Sequence, residues 1–381
     1  MKLPLISIVA SGALAVFCES APAQTTLKEA FKGQFLIGTA VNASQFTEKN
    51  TVEAAIVKAQ FNAITPENVM KWEEIHPAPD RYRFEPADRY VEFGEKNGMF
   101  IVGHTLVWHS QVPKWVFSDD TGRPVDRETL LSRMRDHIHT VAGRYKGRVK
   151  GWDVVNEALA DDGSLRDSPW REIIGDDYIE KAFQFAHEAD PAAELYYNDY
   201  GIEVGAKRDG ALALLKKLKA DGIPITGVGI QEHVNFTWPS TQAVDEAIAA
   251  YGALGLKVMI TEMDVDVLPS RTKSVNADVN RTEAADPALN PYPNGLPDKV
   301  QQALARRYAS LFAVYLKHRN VVERVTIWGV SDEKSWLNNF PIKGRTNYPL
   351  LFDRADHPKP AFSAVIGAAK SASLPDLQNA Q

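Results

Sequence analysis

Residues 152–159, WDVVNEAL, join an apolar, strand-like run to an amide and a carboxyl side chain, Asn156 and Glu157. Residues 258–264, VMITEMD, repeat this arrangement and place Glu262 at the end of a second apolar run. In a barrel of parallel strands, the carboxyl ends of all strands meet on one face, where active sites lie. We therefore expect Glu157 and Glu262 to face one another if the rest of the chain builds such a barrel.

The same unit, an apolar run followed by an amphipathic helical pattern, recurs eight times along the chain. Regular alternation of strands and helices is typical of a parallel sheet covered by helices. Eight such units predict an α/β fold, a (β/α)8 TIM barrel, formed as a single domain over residues 24–370. The predicted strands cover residues 35–42, 62–68, 100–107, 149–157, 193–200, 227–234, 257–264 and 322–330.

Helical periodicity fills the intervals between these strands. Apolar residues spaced three and four apart predict a buried helix face. Two such faces are Leu131, Met134, Ile138, Val141 and Tyr145, and Leu304, Tyr308, Leu311 and Tyr315. The irregular segment 269–297, rich in proline and asparagine, follows the strand that carries Glu262. Because loops on that side of a barrel shape the substrate site, this segment is either a wall of the cleft or a surface excursion.

The N-terminus has the pattern of a secretory signal peptide over residues 1–23: Lys2, an apolar run, and small residues before a cleavage point. The apolar run is short for a transmembrane anchor, and Cys18 follows a bulky residue, unlike a lipoprotein signal. We expect a secreted or periplasmic protein that has no membrane partner once the signal is removed. Cys18 is the only cysteine, so the mature chain has no disulfide. Residues 371–381 are expected to be a C-terminal tail.

Composition narrows the class of ligand. The chain of 381 residues has a formal net charge of -6 and is 44% hydrophobic, values that are ordinary for a soluble globular protein. Because this balance offers no basic surface for nucleic acid or an anionic membrane, we expect an uncharged substrate and no nucleic-acid partner. The protein is expected to act as a monomer.

The predicted strand ends carry amides, charged donors and aromatic rings in unusual concentration. Such groups suit a sugar, which has apolar C–H faces and a rim of hydroxyls. These strand-end residues are Glu67, Asn68, Lys71, His104, Trp108, Gln111, Asn156, Glu157, Asn198, Tyr200, Gln231, His233, Glu262, Asp264, Trp328 and Trp336. The sequence therefore predicts a carbohydrate cleft.

Other kinds of site fit the sequence poorly. His104 and His109 lack the spacing of a zinc site, and the glycine pair at 227–229 lacks the third glycine of a dinucleotide fingerprint. Three carboxylates around the end of the seventh predicted strand have no regular calcium-loop spacing: Asp264, Asp266 and Asp278. We therefore expect neither a metal ion nor a cofactor.

Six segments together resemble glycoside hydrolase family 10, the endo-1,4-β-xylanases, and the resemblance extends from about residue 27 to 369. The matching segments are 67–72 (ENVMKW), 103–109 (GHTLVWH), 152–158 (WDVVNEA), 227–233 (GVGIQEH), 260–264 (ITEMD) and 328–332 (WGVSD). The resemblance implies retaining hydrolysis of β-1,4-xylan, with Glu157 as the acid/base and Glu262 as the nucleophile. A retaining pair stands roughly 5 to 5.5 Å apart, and the charge of Glu262 is expected to raise the pKa of Glu157.

Further roles follow from the resemblance. Asn156 is placed to bond the sugar 2-hydroxyl, and His233 with Asp264 to keep Glu262 ionised and oriented. A further group is expected to bind hydroxyls of the sugars on the non-reducing side, or alternatively to form a polar network that braces the barrel. It consists of Glu67, Asn68, Lys71, His104 and Gln111. The wall around the cleaved sugar is expected to comprise Trp108, Trp328 and Trp336, and the leaving-group side Asn198 and Tyr200. Gln231 is a further substrate-binding candidate.

Trp152 is expected in the core, whereas core and cleft remain open for Trp72, Trp115 and Trp170. Two rival functions also remain: a related retaining barrel that acts on β-glucan, and a non-catalytic carbohydrate-binding barrel. Comparing the rates of hydrolysis of xylan and of soluble cellulose distinguishes the first rival from a xylanase. The presence of both glutamates argues against the second.

Overall fold

The computed structural model describes residues 25–271, 278–279 and 282–373. The predicted signal peptide at residues 1–23 lies outside the described residues. So does residue 374 onward in the predicted tail, whereas 371–373 belong to the last helix.

Parallel strands form a closed barrel in the part of the chain that the structure describes. The strands are β1 (Leu36–Val41), β2 (Ala63–Pro66), β3 (Phe100–Trp108), β4 (Gly151–Asn156), β5 (Glu194–Asp199), β6 (Gly227–Ile230), β7 (His233–Asn235), β8 (Lys257–Asp266) and β9 (Val322–Ile327). The sheet runs in chain order from β1 to β6, β6 pairs with β8, and β8 and β9 return to β1. Among the described strands, β7 pairs with the outer end of β8 alone. The predicted (β/α)8 barrel is confirmed.

All eight predicted strands are present, and the sixth is split in two. Gln231 and Glu232 separate β6 from β7, and the backbone of Glu232 is left-handed, with φ of 60°. A non-glycine residue in this region interrupts the regular pleat. The interruption turns the chain so that His233 pairs in register with Asp264.

Helices connect the strands on the outside of the barrel. They are α1 (Leu27–Ala30), α2 (Ala43–Phe46), α3 (Thr51–Gln60), α4 (Trp72–Ile75), α5 (Phe84–Lys96), α6 (Arg127–Arg144), α7 (Pro169–Ile174), α8 (Tyr178–Ala189), α9 (Gly205–Ala220), α10 (Thr241–Ala253), α11 (Asp298–Lys317) and α12 (Pro360–Ser373). Short 3-10 turns lie at Lys114–Val116, Pro287–Leu289, Asp332–Lys334 and Trp336–Asn338.

The apolar faces predicted from periodicity pack against the barrel. The four predicted positions on α11 are completely buried, and so is the predicted face of α6 except for Leu131, whose neighbour Leu130 takes the core position. Trp152 is buried against Gly103, where an added Cβ would lie 2.1 Å from its ring. The core role expected for Trp152 is therefore confirmed, and glycine at residue 103 leaves the space that its ring occupies.

Within the described residues, no helix combines the length and apolar character needed to cross a bilayer.

Candidate active site

A cleft of about 760 Å³, open solvent included, lies at the carboxyl ends of the strands. It brings together side chains that are far apart in sequence. Its lining consists of Glu67, Asn68, Lys71, His104, Trp108, Gln111, Asn156, Glu157, Gln231, His233, Glu262, Val279, Trp328, Lys334 and Trp336. Of the residues predicted for substrate contact, only Asn198 and Tyr200 are missing from this lining.

Glu157 follows the last residue of β4 and has a left-handed backbone, with φ of 56°. Its N–H donates to the main-chain oxygen of Asn198 (2.8 Å) on the neighbouring strand β5. Its carboxyl group is 3% exposed and accepts two hydrogen bonds, from Trp108 Nε1 to Oε2 (2.8 Å) and from Gln231 Nε2 to Oε1 (2.9 Å). Both donors are uncharged, so neither supplies a full positive charge to hold a carboxylate.

Burial is the main cause of a raised pKa at Glu157. Desolvation, followed by the negative charge of Asp199, raises the pKa of Glu157 to about 7, although the bonds from Gln231 and Trp108 act in the opposite direction. Glu262 contributes in the expected sense but is the smallest of these influences. The sequence-based expectation named only Glu262, because the depth of the carboxyl and the approach of Asp199 depend on the fold.

Glu262 lies in β8 beside a charged imidazole. His233 Nε2 is 3.3 Å from Glu262 Oε2, and His233 Nδ1 is 3.0 Å from Asp264 Oδ1. Burial alone would lower the pKa of His233, but Asp264 and Glu262 raise it to about 10. Burial likewise favours a neutral Glu262, yet His233, His104 and Asn198 lower the pKa of Glu262 below its ordinary value. Glu262 is therefore ionised at neutral pH.

Asp264 is fixed by a third group. Trp336 Nε1 donates to Asp264 Oδ2 (2.7 Å), while Oδ1 faces the imidazole of His233. Both oxygens of this completely buried carboxylate are thus engaged. Trp336, Asp264, His233 and Glu262 thus form one connected series of contacts.

Amide side chains connect the two glutamates. Asn198 Nδ2 donates to Asn156 Oδ1 and to Glu262 Oε1, both at 2.8 Å, and Thr261 Oγ1 donates to Asn198 Oδ1 (2.6 Å). Gln231 Nε2 lies 3.4 Å from the same Asn156 oxygen. Because Asn156 Oδ1 accepts from the protein, Asn156 Nδ2 is the group that can donate to a ligand in the cleft.

Asn198 and Tyr200 do not take the positions predicted for contact with the leaving-group sugar. Asn198 is 0% exposed and lies behind the cleft surface, where it joins Asn156 to Glu262. Tyr200 is also buried: its ring lies 3.3 Å from Lys207 Nζ and its hydroxyl accepts from Arg166 Nη2 (2.9 Å). The alternation of β5 could be read from the sequence, but the neighbours that bury these two side chains could not, because they come from β4, β8, α9 and the segment that carries Arg166.

A second polar group lies at the ends of β2 and β3. Lys71 Nζ donates to Asn68 Oδ1 (3.0 Å) and Gln111 Oε1 (2.9 Å), and stands 5.0 Å from the centre of the Trp108 ring. Burial lowers the pKa of Lys71. Asn68 and Gln111 are therefore held by one ammonium group, so these residues both brace each other and line the cleft.

Glu67 and His104 complete this side of the cleft. Burial raises the pKa of Glu67 to about 7, and Asn42 Nδ2 donates to its Oε1 (3.3 Å). His104 Nδ1 lies 2.9 Å from Asp153 Oδ2, which leaves Nε2 as the ring nitrogen for a ligand. Asn42 ends the first predicted strand and Asp153 lies in the matching segment 152–158, but neither was singled out from the sequence as a site residue.

The six tryptophans that were predicted for the cleft or left undecided divide into two groups. Trp108, Trp328 and Trp336 line the cleft, as predicted. The three undecided tryptophans lie elsewhere: Trp72 and Trp170 are buried, Trp115 is half-buried, and all three belong to one aromatic cluster with His76 and His137. Trp170 still supports the site, because its Nε1 donates to the main-chain oxygen of Trp108 (2.7 Å).

Sequence reasoning missed two residues of the lining, Val279 and Lys334. Val279 belongs to the irregular segment 269–297, so part of that segment is a wall of the cleft. The carboxylates considered for calcium have separate protein partners: Asp264 binds His233, Asp266 accepts from Asn347 (2.7 Å), and Asp278 pairs with Arg166. Among the described residues, no three His, Cys, Asp or Glu side chains are grouped as a metal site.

Comparison with known proteins gives one consistent result. The model of glycosyl hydrolase family 10 matches residues 26–368. Endo-1,4-beta-xylanase A of Xylanibacter ruminicola is 45% identical over 343 residues, which cover 90% of this chain and 93% of that protein. Beta-1,4-xylanase of Dictyoglomus thermophilum is 42% identical over 343 residues and 90% of each chain. The solved structure of a GH10 endoxylanase from a sugarcane soil metagenome matches with a TM-score of 0.87 at 50% identity, covering 90% of this chain and 99% of the other.

Proposed function

This chain belongs to glycosyl hydrolase family 10, and from that membership we propose how its own residues divide the reaction. The protein is an endo-1,4-β-xylanase: it hydrolyses internal β-1,4 linkages of xylan and retains the anomeric configuration through two successive displacements. Glu262 is the nucleophile and Glu157 is the acid/base. The observation that carries this division is the opposite environment of the two carboxyl groups.

In the first displacement, a Glu262 oxygen attacks the anomeric carbon while Glu157 gives its proton to the glycosidic oxygen. A covalent glycosyl ester forms on Glu262, the bond to the leaving sugar breaks, and Glu157 becomes a carboxylate. The step needs an ionised Glu262 and a protonated Glu157 at the same pH. His233 and Asp264 support the first condition, and the burial of Glu157 together with Asp199 supports the second.

In the second displacement, water attacks the anomeric carbon and Glu157 takes the water proton. The ester to Glu262 breaks, and the sugar is released with its original configuration. Glu157 is ready to act as a base because it gave up its proton in the first step. Its carboxyl group returns to the protonated form as the cycle closes.

The remaining cleft residues hold the sugar chain. Asn156 Nδ2 donates to the 2-hydroxyl of the sugar under attack, a contact that strengthens in the transition state. Lys71, His104 and Glu67 bind hydroxyls on the non-reducing side, with Asn68, Gln111 and Gln231 beside them. The rings of Trp108, Trp328 and Trp336 cover the apolar faces of the sugar.

Trapping the covalent intermediate tests the assignment of the nucleophile. A 2-deoxy-2-fluoro xylobioside with a dinitrophenyl leaving group forms the glycosyl-enzyme quickly and hydrolyses slowly. Peptide mapping by mass spectrometry is expected to find one fluoroxylobiosyl group, bound to Glu262. A label on Glu157 or on another carboxyl group would refute the assignment.

Export and assembly are separate parts of the proposal. The sequence pattern of residues 1–23 supports removal of a signal peptide and release into the periplasm or the medium. N-terminal sequencing of the exported enzyme is expected to begin near residue 24, and retention of Met1 would contradict export. Light scattering is expected to give the mass of one mature chain, since we propose that the enzyme is a monomer.

A further inference from the structure

The main chain of Glu157 is held from both sides. Its N–H donates to Asn198 O, and its carbonyl oxygen accepts from Arg166 Nε at 3.0 Å. A left-handed backbone is costly for a residue with a side chain and persists only where surrounding contacts enforce it. Arg166 is therefore one of two contacts that fix the direction in which the Glu157 side chain leaves the backbone.

Arg166 also ties this turn to its surroundings. Arg166 Nη2 donates to Leu159 O (3.1 Å) and to the hydroxyl of Tyr200 (2.9 Å), and Nη1 pairs with Asp278 Oδ2 (3.2 Å). The side chain is only 13% exposed. One rigid guanidinium group thus joins the turn after β4, the end of β5 and the segment after β8.

The local sequence explains how Arg166 reaches Glu157. Residues 159–165 form a small hairpin, in which Leu159 pairs with Leu165 and the N–H of Ala160 donates to Ser164 O (2.9 Å). Gly163 at its tip packs against the backbone of α9 near Ala206, where a Cβ would lie 2.2 Å from a carbonyl oxygen. The hairpin therefore brings the chain back to Glu157, and the N–H of Arg166 itself donates to Ala158 O (2.8 Å).

We propose that Arg166 is a positioning residue for the acid/base, acting on Glu157 through its main-chain carbonyl; the inference rests on the role of Glu157 given above. Arg166 holds the carboxyl group where its proton can reach the glycosidic oxygen. Arg166 is not among the residues that line the cleft, so this role needs no contact with the sugar. A misplacement of about 1 Å at a reacting group can cost roughly 100-fold in rate.

The charge of Arg166 gives the proposal a second readout. The groups that act electrostatically on or with the Glu157 carboxyl are Asp199, Glu262, Lys71, Tyr200 and Arg166. Burial lowers the pKa of Arg166, whereas Tyr200, Asp199 and, to a smaller extent, Glu157 raise it. By reciprocity the attraction between Arg166 and Glu157 opposes the rise in the pKa of Glu157. Removing the guanidinium group is therefore expected to raise the pKa of Glu157 further.

The test compares Arg166→Met and Arg166→Lys with Arg171→Met. Arg171 is a matched control: it lies five residues on, donates to Leu165 O (3.0 Å) and pairs with Asp167 and Asp176, and none of these partners is Glu157. For each variant, kcat/KM is measured on xylohexaose and on dinitrophenyl β-xylobioside. The dinitrophenyl group leaves without a proton, so its first displacement does not use the acid. The pH dependence of kcat/KM on xylohexaose is recorded as well.

In Arg166→Met, kcat/KM is expected to fall about 10- to 100-fold on xylohexaose and less than about threefold on the aryl substrate. The alkaline limb of its pH profile on xylohexaose is expected to move to higher pH. Arg166→Lys, which keeps the charge, is expected to leave that limb in place, and Arg171→Met to match the wild type. Activity on the aryl substrate shows that a variant is folded. If Arg166→Met does not fold, Arg166→Lys must still lose activity selectively on xylohexaose.

Equal losses on the two substrates, or an alkaline limb that Arg166→Met leaves unmoved, would overturn the inference. Glu157→Ala is included in the same series. If Glu157→Ala also loses equally on both substrates, the assigned role of Glu157 fails; if it keeps the selective loss, only the role of Arg166 fails.

Discussion

The two carboxyl groups that we propose as catalytic, those of Glu157 and Glu262, belong to one polar network but have different neighbours. Glu157 accepts from two uncharged donors, Trp108 and Gln231, and its other strong influence is the negative charge of Asp199. Glu262 faces the imidazolium of His233, which Asp264 keeps charged. Both groups are buried, so burial alone would make them alike.

Because both groups are buried, their neighbours, and not their depth, separate the pKa values of the two carboxyl groups. Burial raises the pKa of Glu157 to about 7 because no cation offsets it fully, whereas a cation in contact lowers the pKa of Glu262. Two carboxyl groups whose pKa values are separated in this way can act as acid and nucleophile at one pH. Each of the following changes either abolishes the asymmetry or measures its size.

Removal of Glu262 should have the largest effect. In Glu262→Ala there is no oxygen to form the glycosyl ester, so kcat/KM is expected to fall by at least ~10⁴-fold on xylan and on dinitrophenyl xylobioside alike. Binding of xylohexaose, measured by calorimetry, is expected to persist because the other cleft residues remain. Substantial turnover of either substrate by the variant would contradict the role of Glu262.

Removal of Glu157 should be selective. Glu157→Ala is expected to lose about 10²- to 10⁴-fold in kcat/KM on xylan, the usual contribution of a general acid. The loss on dinitrophenyl xylobioside should be small, because that leaving group needs no proton. Added azide should restore kcat on the aryl substrate and yield the β-glycosyl azide, since azide attacks the ester without a base. A uniform loss would count against the acid role.

Weakening the cation beside Glu262 should reduce the asymmetry without removing either carboxyl group. Asp264→Asn deprives His233 of its negative partner, so the pKa of Glu262 should rise. Because the proposed mechanism requires an ionised Glu262, activity is expected to be lost as pH falls through that pKa. The acid limb of kcat/KM is therefore expected to move to higher pH, with a loss of about tenfold near pH 5.

Asp266→Asn is the control for this change. Asp266 lies two residues further along β8 and is also buried, but it bonds Asn347 and Arg345 and does not line the cleft. The acid limb of kcat/KM in Asp266→Asn should coincide with that of the wild type. If the two variants move the limb equally, the effect is not specific to the neighbour of His233.

Stability should show the same asymmetry on a smaller scale. The pKa of Glu157 is higher folded than unfolded, so folding is disfavoured as pH rises from about 4.5 through about 7. The pKa of Glu262 is lowered, so its stabilisation is present above about 4.5 and lost below the folded pKa. At pH 8, Glu157→Gln is expected to raise the Tm by about 2–4 °C and Glu262→Gln to lower it. If calorimetry shows that the Tm of Glu157→Gln and the Tm of Glu262→Gln change in the same direction, the proposed difference between the two carboxyl groups is wrong.

The barrel could be predicted from the sequence because it depends on local patterns. Eight apolar runs separated by helical periodicity leave little choice of fold, and the strand ends carry the residues that line the cleft. The split of the sixth strand was not predictable in this way. It depends on the left-handed backbone of Glu232, a conformation that glutamate rarely adopts and that no local pattern marks.

The sequence predicted which residues line the cleft more fully than it predicted their charges and burial. Asn198 was expected to touch the sugar, yet it is buried behind Asn156, because side chains of β4 and β8 surround it. Arg166 lies in a polar loop, and the sequence of this loop has no hydrophobic periodicity that would predict where the side chain lies. The Asp162-Gly163 turn could have indicated a hairpin that returns residue 166 to the end of β4, but not the contact with Glu157.

The opposite ionisation of the two carboxyl groups is measured most directly by NMR titration of enzyme labelled with ¹³C at the glutamate side-chain carboxyl. Signals are assigned by their loss in Glu157→Gln and Glu262→Gln. We expect Glu157 to titrate near pH 7 and Glu262 below its ordinary value of 4.5. Two carboxyl groups that titrate together near pH 4.5, or a Glu262 that titrates above Glu157, would contradict the assignment of acid and nucleophile.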